Sequence, residues 1–135
     1  MTKQELMKKW IEAMESGNYA ASSGALKDDK PGYCCLGVAD EVCFNATFTQ
    51  SQVTGDWTDD VGMQFFLTHE RAEVLGLLTP VTEEEEERIR EEILDVSILS
   101  DGRKNRQVAL AEINDATEDF SYAVNILREL EGDNV

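Results

Sequence analysis

A chain of 135 residues with 28 acidic and 12 basic side chains, formally −16 at neutral pH, has the length of one domain and a charge that repels bare nucleic acid and anionic lipid. Its 41 % hydrophobic content is enough for a core without disulfide or metal staples, which excludes a disordered acidic tail. No apolar run approaches the roughly 20 residues of a membrane helix. The opening Met1-Thr2-Lys3-Gln4-Glu5 has no apolar signal core behind it, so a single cytoplasmic domain over residues 1–135 is expected.

Thr2 and Glu5 have capping-box spacing, and Leu6, Trp10, Ala13 and Met14 recur at helical spacing up to Gly17, a natural stop. Trp10 reads as a core anchor. Residues 20–30 read as a loop ending at Pro31-Gly32. The apolar stretch that follows would suit a buried strand in its first half. However, Cys35, Val38, Ala39, Val42 and Cys43 share one helical face, and the pattern predicts a helix with its acids on the opposite face. Residues 45–67 are the least regular. Thr47-Phe48-Thr49 and Met63-Gln64-Phe65-Phe66-Leu67 are expected as short strands around a Gly55-Asp56 turn.

Thr68 caps a short helix through Leu75, stopped by Gly76, and Pro80 ends that unit. Thr82 and Glu85 open a second capping box. The helix behind it is very acidic and has only a thin apolar stripe of Ile89, Ile93 and Leu94. The pairs Glu84–Arg88 and Glu86–Arg90 support it, each by a few tenths of a kcal/mol. Asp101-Gly102 turns the chain. A helix from about Asn105 to Ile113 then precedes a tight turn at Asn114-Asp115. The last helix carries Phe120, Ala123, Val124, Leu127 and Leu130 on one face. The expected fold is mostly α, with α+β as the alternative: a compact helical domain with a small two- or three-stranded antiparallel sheet from residues 45–67.

Several short blocks occur in a fixed order. Trp10-Ile11-x-Ala13 and Ser16-Gly17-x-Tyr19 come first, followed by Gly24-x-Leu26 and the central Cys34-Cys35-Leu36-Gly37-Val38. Leu110-Ala111-x-Ile113-Asn114-Asp115 follows late in the chain, with Phe120 and Ala123 behind it. In this order, which spans most of the chain, the sequence resembles a group of uncharacterised small proteins of tailed phages, cyanophages among them. It departs from that pattern at Asp40, where the group has a small or apolar residue, and at Thr117, where a glycine is expected after the Asn-Asp turn. The acidic block 83–95 is particular to this chain. The resemblance implies a viral accessory protein acting inside an infected bacterium, and it brings no catalytic residues with it.

Cys34, Cys35 and Cys43 are odd in number and two are adjacent, which reads as reduced thiols in a cytosolic protein, where the Asn45-Ala46-Thr47 sequon has no meaning. The order Cys34 or Cys35, His69, then Asn114 or Asp115 follows papain-type proteases, but no protease signature surrounds the cysteines, and packing is the favoured role. Zinc would need paired Cys-x-x-Cys knuckles, and Asp56, Asp59 and Asp60 near Gly62 do not follow a calcium-loop register. The expectation is therefore no catalytic residue, no metal and no cofactor.

A partner is the better reading of the charge. Glu83, Glu84, Glu85, Glu86, Glu87, Glu91, Glu92 and Asp95 would face a basic surface of a host protein, a defence or nucleic-acid-binding factor, with Trp57 as an apolar anchor. Binding would inhibit that protein without chemistry. Direct nucleic-acid or membrane contact is not expected. The alternative is a small-ligand or signalling-nucleotide sponge holding phosphate on Arg103, Lys104 and Arg106, or a cysteine-dependent enzyme.

Overall fold

A computed structural model describes residues 2–84, 87 and 105–131, the side chains of 129–131 excepted. The fold is mostly α with a small antiparallel sheet, as expected. Helix α1, Lys3–Glu15, starts where Thr2 Oγ1 accepts the Glu5 N–H at 3.2 Å, and it ends at Ser16 before Gly17, whose φ of +79° an L side chain would resist. It buries Leu6, Met7, Trp10, Ile11 and Met14. The loop that follows is folded on itself: Ser22 N–H donates to Tyr33 O, and Tyr33 N–H donates to Ala20 O. Asp28 holds its far end through the N–H groups of Lys30 and Gly32 and the Ser22 hydroxyl.

Helix α2, Cys35–Phe44, is capped by a thiolate-free sulfur: Cys34 Sγ accepts the Gly37 N–H at 3.4 Å. Gly37 is required here for space. A Cβ at this position would fall inside the Leu26 carbonyl, so the helix lies directly on the loop backbone. Two short strands follow, β1 at Thr49–Gln50 and β2 at Trp57–Thr58, antiparallel with Thr49 opposite Thr58 and Gln50 opposite Trp57. Helix α3, His69–Val74, is capped by Thr68 Oγ1 at 3.2 Å from Arg71 N. Helix α4 is Arg106–Thr117, capped by Asn105, and helix α5 is Phe120–Glu131. Glu83, Glu84 and Glu87 are helical as predicted. Glu85, Glu86, Glu91, Glu92 and Asp95 lie outside the described residues, as do Ile89, Ile93, Leu94, the Asp101-Gly102 turn, and Arg103 and Lys104.

The four longer helices form a frame in which α1 packs on α2 and α5, and α4 packs on α2 and α5. Trp10 is fully buried and shares one core with Met7 of the same helix and with Leu36, Val38, Leu110, Ile113 and Leu127 of the other walls. Burial of each such side chain contributes about 1.5–3 kcal/mol against the entropy of ordering the chain. Phe120, Ala123, Val124 and Leu127 of the predicted apolar face of α5 are buried, with Ile126 added to them, and the side chain of Leu130 lies outside the described residues.

Three sequence expectations change. Residues 63–67 are not a strand. Asp59 Oδ1 accepts the N–H groups of Val61 and Met63 at 3.0 and 2.8 Å, and Gly62 has φ +87°, so the segment curls around a carboxylate and the hairpin closes earlier, at Trp57–Thr58. Asn114-Asp115 is not a turn. Both residues are inside α4, and the reversal comes later, at Glu118, with φ +50°. The helix continues because Asn114 spends its amide on distant partners rather than on its own backbone. Finally, the acids of α2 do not both face outward: Asp40 is fully buried.

Candidate functional site

Asp40 brings three elements together. Its Oδ1 lies 2.5 Å from Arg71 Nη1 of α3. The same guanidinium reaches Asp59 Oδ2 at 3.4 Å and spans Asp60 through Nη1 and Nη2 at 3.1 and 2.8 Å. The Asp40 and Asp59 side chains are fully buried, and that of Arg71 is 16 % exposed, so its charge is spent inward. The Arg71 guanidinium also lies 5.6 Å from the centre of the Phe44 ring. One guanidinium cannot balance three carboxylates in a dry setting. Burial, and then the hydrogen bond with Asp59, push the Asp40 carboxyl up to about 7 against the pull of Arg71. Asp40 Oδ2 has no donor if both acids are ionised. A proton held by Asp40 turns that oxygen from an unpaired acceptor into a donor. Asp60, outermost of the three, is held below the usual carboxylate range by Arg71.

This cluster was missed in the sequence because its members are 31 and 12 residues apart, in elements whose packing no local pattern encodes. A signal was nevertheless present. Arg71 is the only Lys or Arg between Lys30 and Arg88. A lone cation in so acidic a stretch, with an acid at 40 inside an apolar helix, marks a pair.

The cluster fixes a short surface. Asp59 shapes the turn 59–63, Gln64 O accepts the Leu26 N–H, and Gln107 Oε1 accepts the Leu67 N–H at 2.8 Å. On this pinned backbone Val61, Phe65, Phe66 and Val74 are exposed, as are Glu70 and Glu73.

The other predicted residues separate. Cys35 and Asn114 do meet: Asn114 Oδ1 accepts the Cys35 N–H at 3.1 Å, and its Nδ2 donates to Ser22 O at 2.6 Å. Trp10 Nε1 donates to Cys35 O at 2.8 Å, and Cys35 Sγ donates to Leu110 O at 3.5 Å. These are links between walls of the frame. Burial pushes the thiols of Cys34 and Cys43 up to about 12 and raises that of Cys35 as well, the opposite of nucleophile activation. His69 is on the exposed face of α3, 3.9 Å from Glu73, away from the buried thiols. Asp115 caps the loop at Gly24 N.

Trp57 is half-buried on β2. Its Nε1 donates to Asp29 Oδ1, and the Lys27 ammonium lies 3.8 Å from its ring centre, so it is committed to the loop beneath. Glu83, Glu84 and Glu87 are exposed. Arg106 is partly buried where α4 begins, its N–H donating to Thr79 O. A concavity of about 390 Å³ between the end of α1 and the start of α5 has Tyr19 and Phe120 in its lining, and Glu15, Glu118 and Asp119 make it unsuited to phosphate. Among the described residues, no group of three His, Cys, Asp or Glu side chains is placed to hold a metal ion, and no helix is long and apolar enough to cross a membrane.

A family model described as Domain of unknown function (DUF8296) matches residues 2–131. The chain belongs to this family. No curated protein and no solved structure matches it. The matched span covers the whole helical frame together with the Arg71 cluster.

Proposed function

We propose that this member of the DUF8296 family is a non-catalytic, acidic binding protein that occupies a basic surface of another protein and blocks it. The observation that carries this reading is how the polar chemistry is distributed. Cys34, Cys35 and Asn114, the residues with an enzyme-like order, are buried as packing and hydrogen-bonding groups, while the carboxylates of Glu70, Glu73, Glu83, Glu84 and Glu87 are exposed. In a chain of net charge −16, exposed carboxylates steer cationic partners and repel nucleic acid. A basic host protein whose own task is to hold nucleic acid fits this chemistry. The resemblance to small phage proteins supports the same setting, an accessory factor in the cytoplasm of an infected bacterium.

The test is affinity capture from bacterial lysate at low salt, comparing the wild type with a variant carrying Glu83→Lys, Glu84→Lys and Glu87→Lys. A specific partner should be captured by the wild type, be released as salt rises, and be lost from the variant. A partner held equally well by the variant and insensitive to salt counts against the electrostatic reading.

A further inference from the structure

We infer that the segment from Val61 to Val74 is the docking surface for a cationic amphipathic partner, with Phe65 and Phe66 as its apolar centre. The inference rests on the binding reading above and gives the contact a place on the fold.

Exposure is the first argument. Val61 is 55 % exposed, Phe65 52 %, Phe66 37 % and Val74 49 %. Single exposed apolar residues are ordinary. Four within one short segment, two of them aromatic, are the composition of an interface centre. The fold had apolar volume to give them elsewhere, since Leu67 and Ala72 in the same segment are buried.

Backbone definition is the second. Exposed aromatic side chains on a loosely held loop would lose much freedom on binding. Here the Asp59 carboxyl fixes the turn, Gln64 and Leu67 are hydrogen-bonded to Leu26 and Gln107, and Arg71 ties α3 to α2. The surface is therefore shaped before a partner arrives, which removes much of the ordering cost of association.

Charge selects the occupant. Glu70 and Glu73 share helix α3 with Val74 and are exposed, and the cation of the segment, Arg71, is turned into the cluster. Asp60 remains partly exposed beside it. What faces outward is apolar with an anionic rim. A second copy of this chain would bring the same rim and the same −16 against it, and anionic lipid is repelled likewise. A protein segment with apolar and Lys/Arg faces is complementary on both counts.

The test uses a fluorescent amphipathic peptide of lysine and leucine, with a glutamate-and-leucine twin as control. Affinity is read by anisotropy and the contact by amide hydrogen exchange, in the wild type and in a Phe65→Ser, Phe66→Ser variant. The lysine peptide should bind and its twin should not, and protection should fall on residues 61–74. The variant should bind about tenfold more weakly with little change in melting temperature, because neither side chain belongs to the buried core. Equal affinity in the variant, or protection centred on residues 83–87, overturns this placement and leaves the binding reading standing. No affinity for the lysine peptide at low salt overturns both. Self-association lost in the variant, or Phe-dependent binding to phosphatidylglycerol vesicles, assigns the surface to another occupant and also overturns the inference.

Discussion

In the frame of α1, α2, α4 and α5 the shared faces are apolar and the buried links between walls are neutral, Trp10 to Cys35 and Asn114 to Cys35 and Ser22, while the ion pair of Arg128 with Glu15 lies half-exposed at its surface. The region from β1 to the end of α3 is held differently. There Leu67 and Ala72 reach into the same core, and a guanidinium among three carboxylates, a carboxylate-shaped turn and a few backbone bonds add to that burial. Apolar burial has no charge to titrate, whereas an ion cluster responds to pH. The molecule thus couples a frame that should stay fixed to a surface layer whose stability responds to conditions.

The largest effect should come from crowding the frame. Gly37→Ala places a methyl group inside the Leu26 carbonyl, a backbone group that cannot swing away, so the start of α2 must shift. A loss of about 3 kcal/mol or more, seen as a lower denaturation midpoint for the whole chain, is expected. A near-neutral result would mean that the frame yields more easily than its packing implies.

Next comes pH, which separates the two regions. Asp40 keeps its proton to about pH 7 in the fold but titrates near 4 when unfolded. Between those values the native state binds more protons than the unfolded chain, so stability falls as pH rises, by up to about 1.4 kcal/mol per pH unit. Asp60, held low by Arg71, acts in the opposite sense and only below about pH 4. Melting curves should therefore show lower stability at pH 7 than at pH 5, and Asp40→Asn should flatten that slope. A slope unchanged in the variant would assign the pH response to general carboxylate repulsion instead of the Asp40–Asp59 pair.

The smallest effect compares two equivalent caps. Thr2→Ala and Thr68→Ala each remove one side-chain acceptor at a helix start, worth about 1 kcal/mol. If the regions differ as described, Thr2→Ala lowers global stability, while Thr68→Ala mainly accelerates amide exchange over α3. Equal global effects would make the two regions one cooperative unit.

Much of the frame was legible in the sequence because its signals are local. The Thr2 cap with Gly17, the Thr68 cap with Gly76 and the apolar face of the last helix each lie within a few residues of what they determine. Asn114 misled for a physical reason. An Asn-Asp pair favours a turn unless its amide is claimed from outside, and here Cys35 and Ser22, both far away in sequence, claim it. The 63–67 segment misled because alternating apolar residues look like a strand when the carboxylate that bends them is not considered. The Arg71 cluster was legible only as an isolated cation, since charge pairing across 31 residues leaves no periodic trace.

The thiols have a consequence of their own. Cys35 is fully buried against Leu110 in the middle of the frame, Cys34 is 3 % exposed at the head of α2, and Cys43, near Leu6 on the frame's edge, is only partly covered. A thiol reagent in solution can meet Cys34 and Cys35 only when the surrounding packing opens, and Cys43 more readily. The chain therefore carries an internal clock at three depths, and the order in which the sulfurs become modified records which part of the frame opens first.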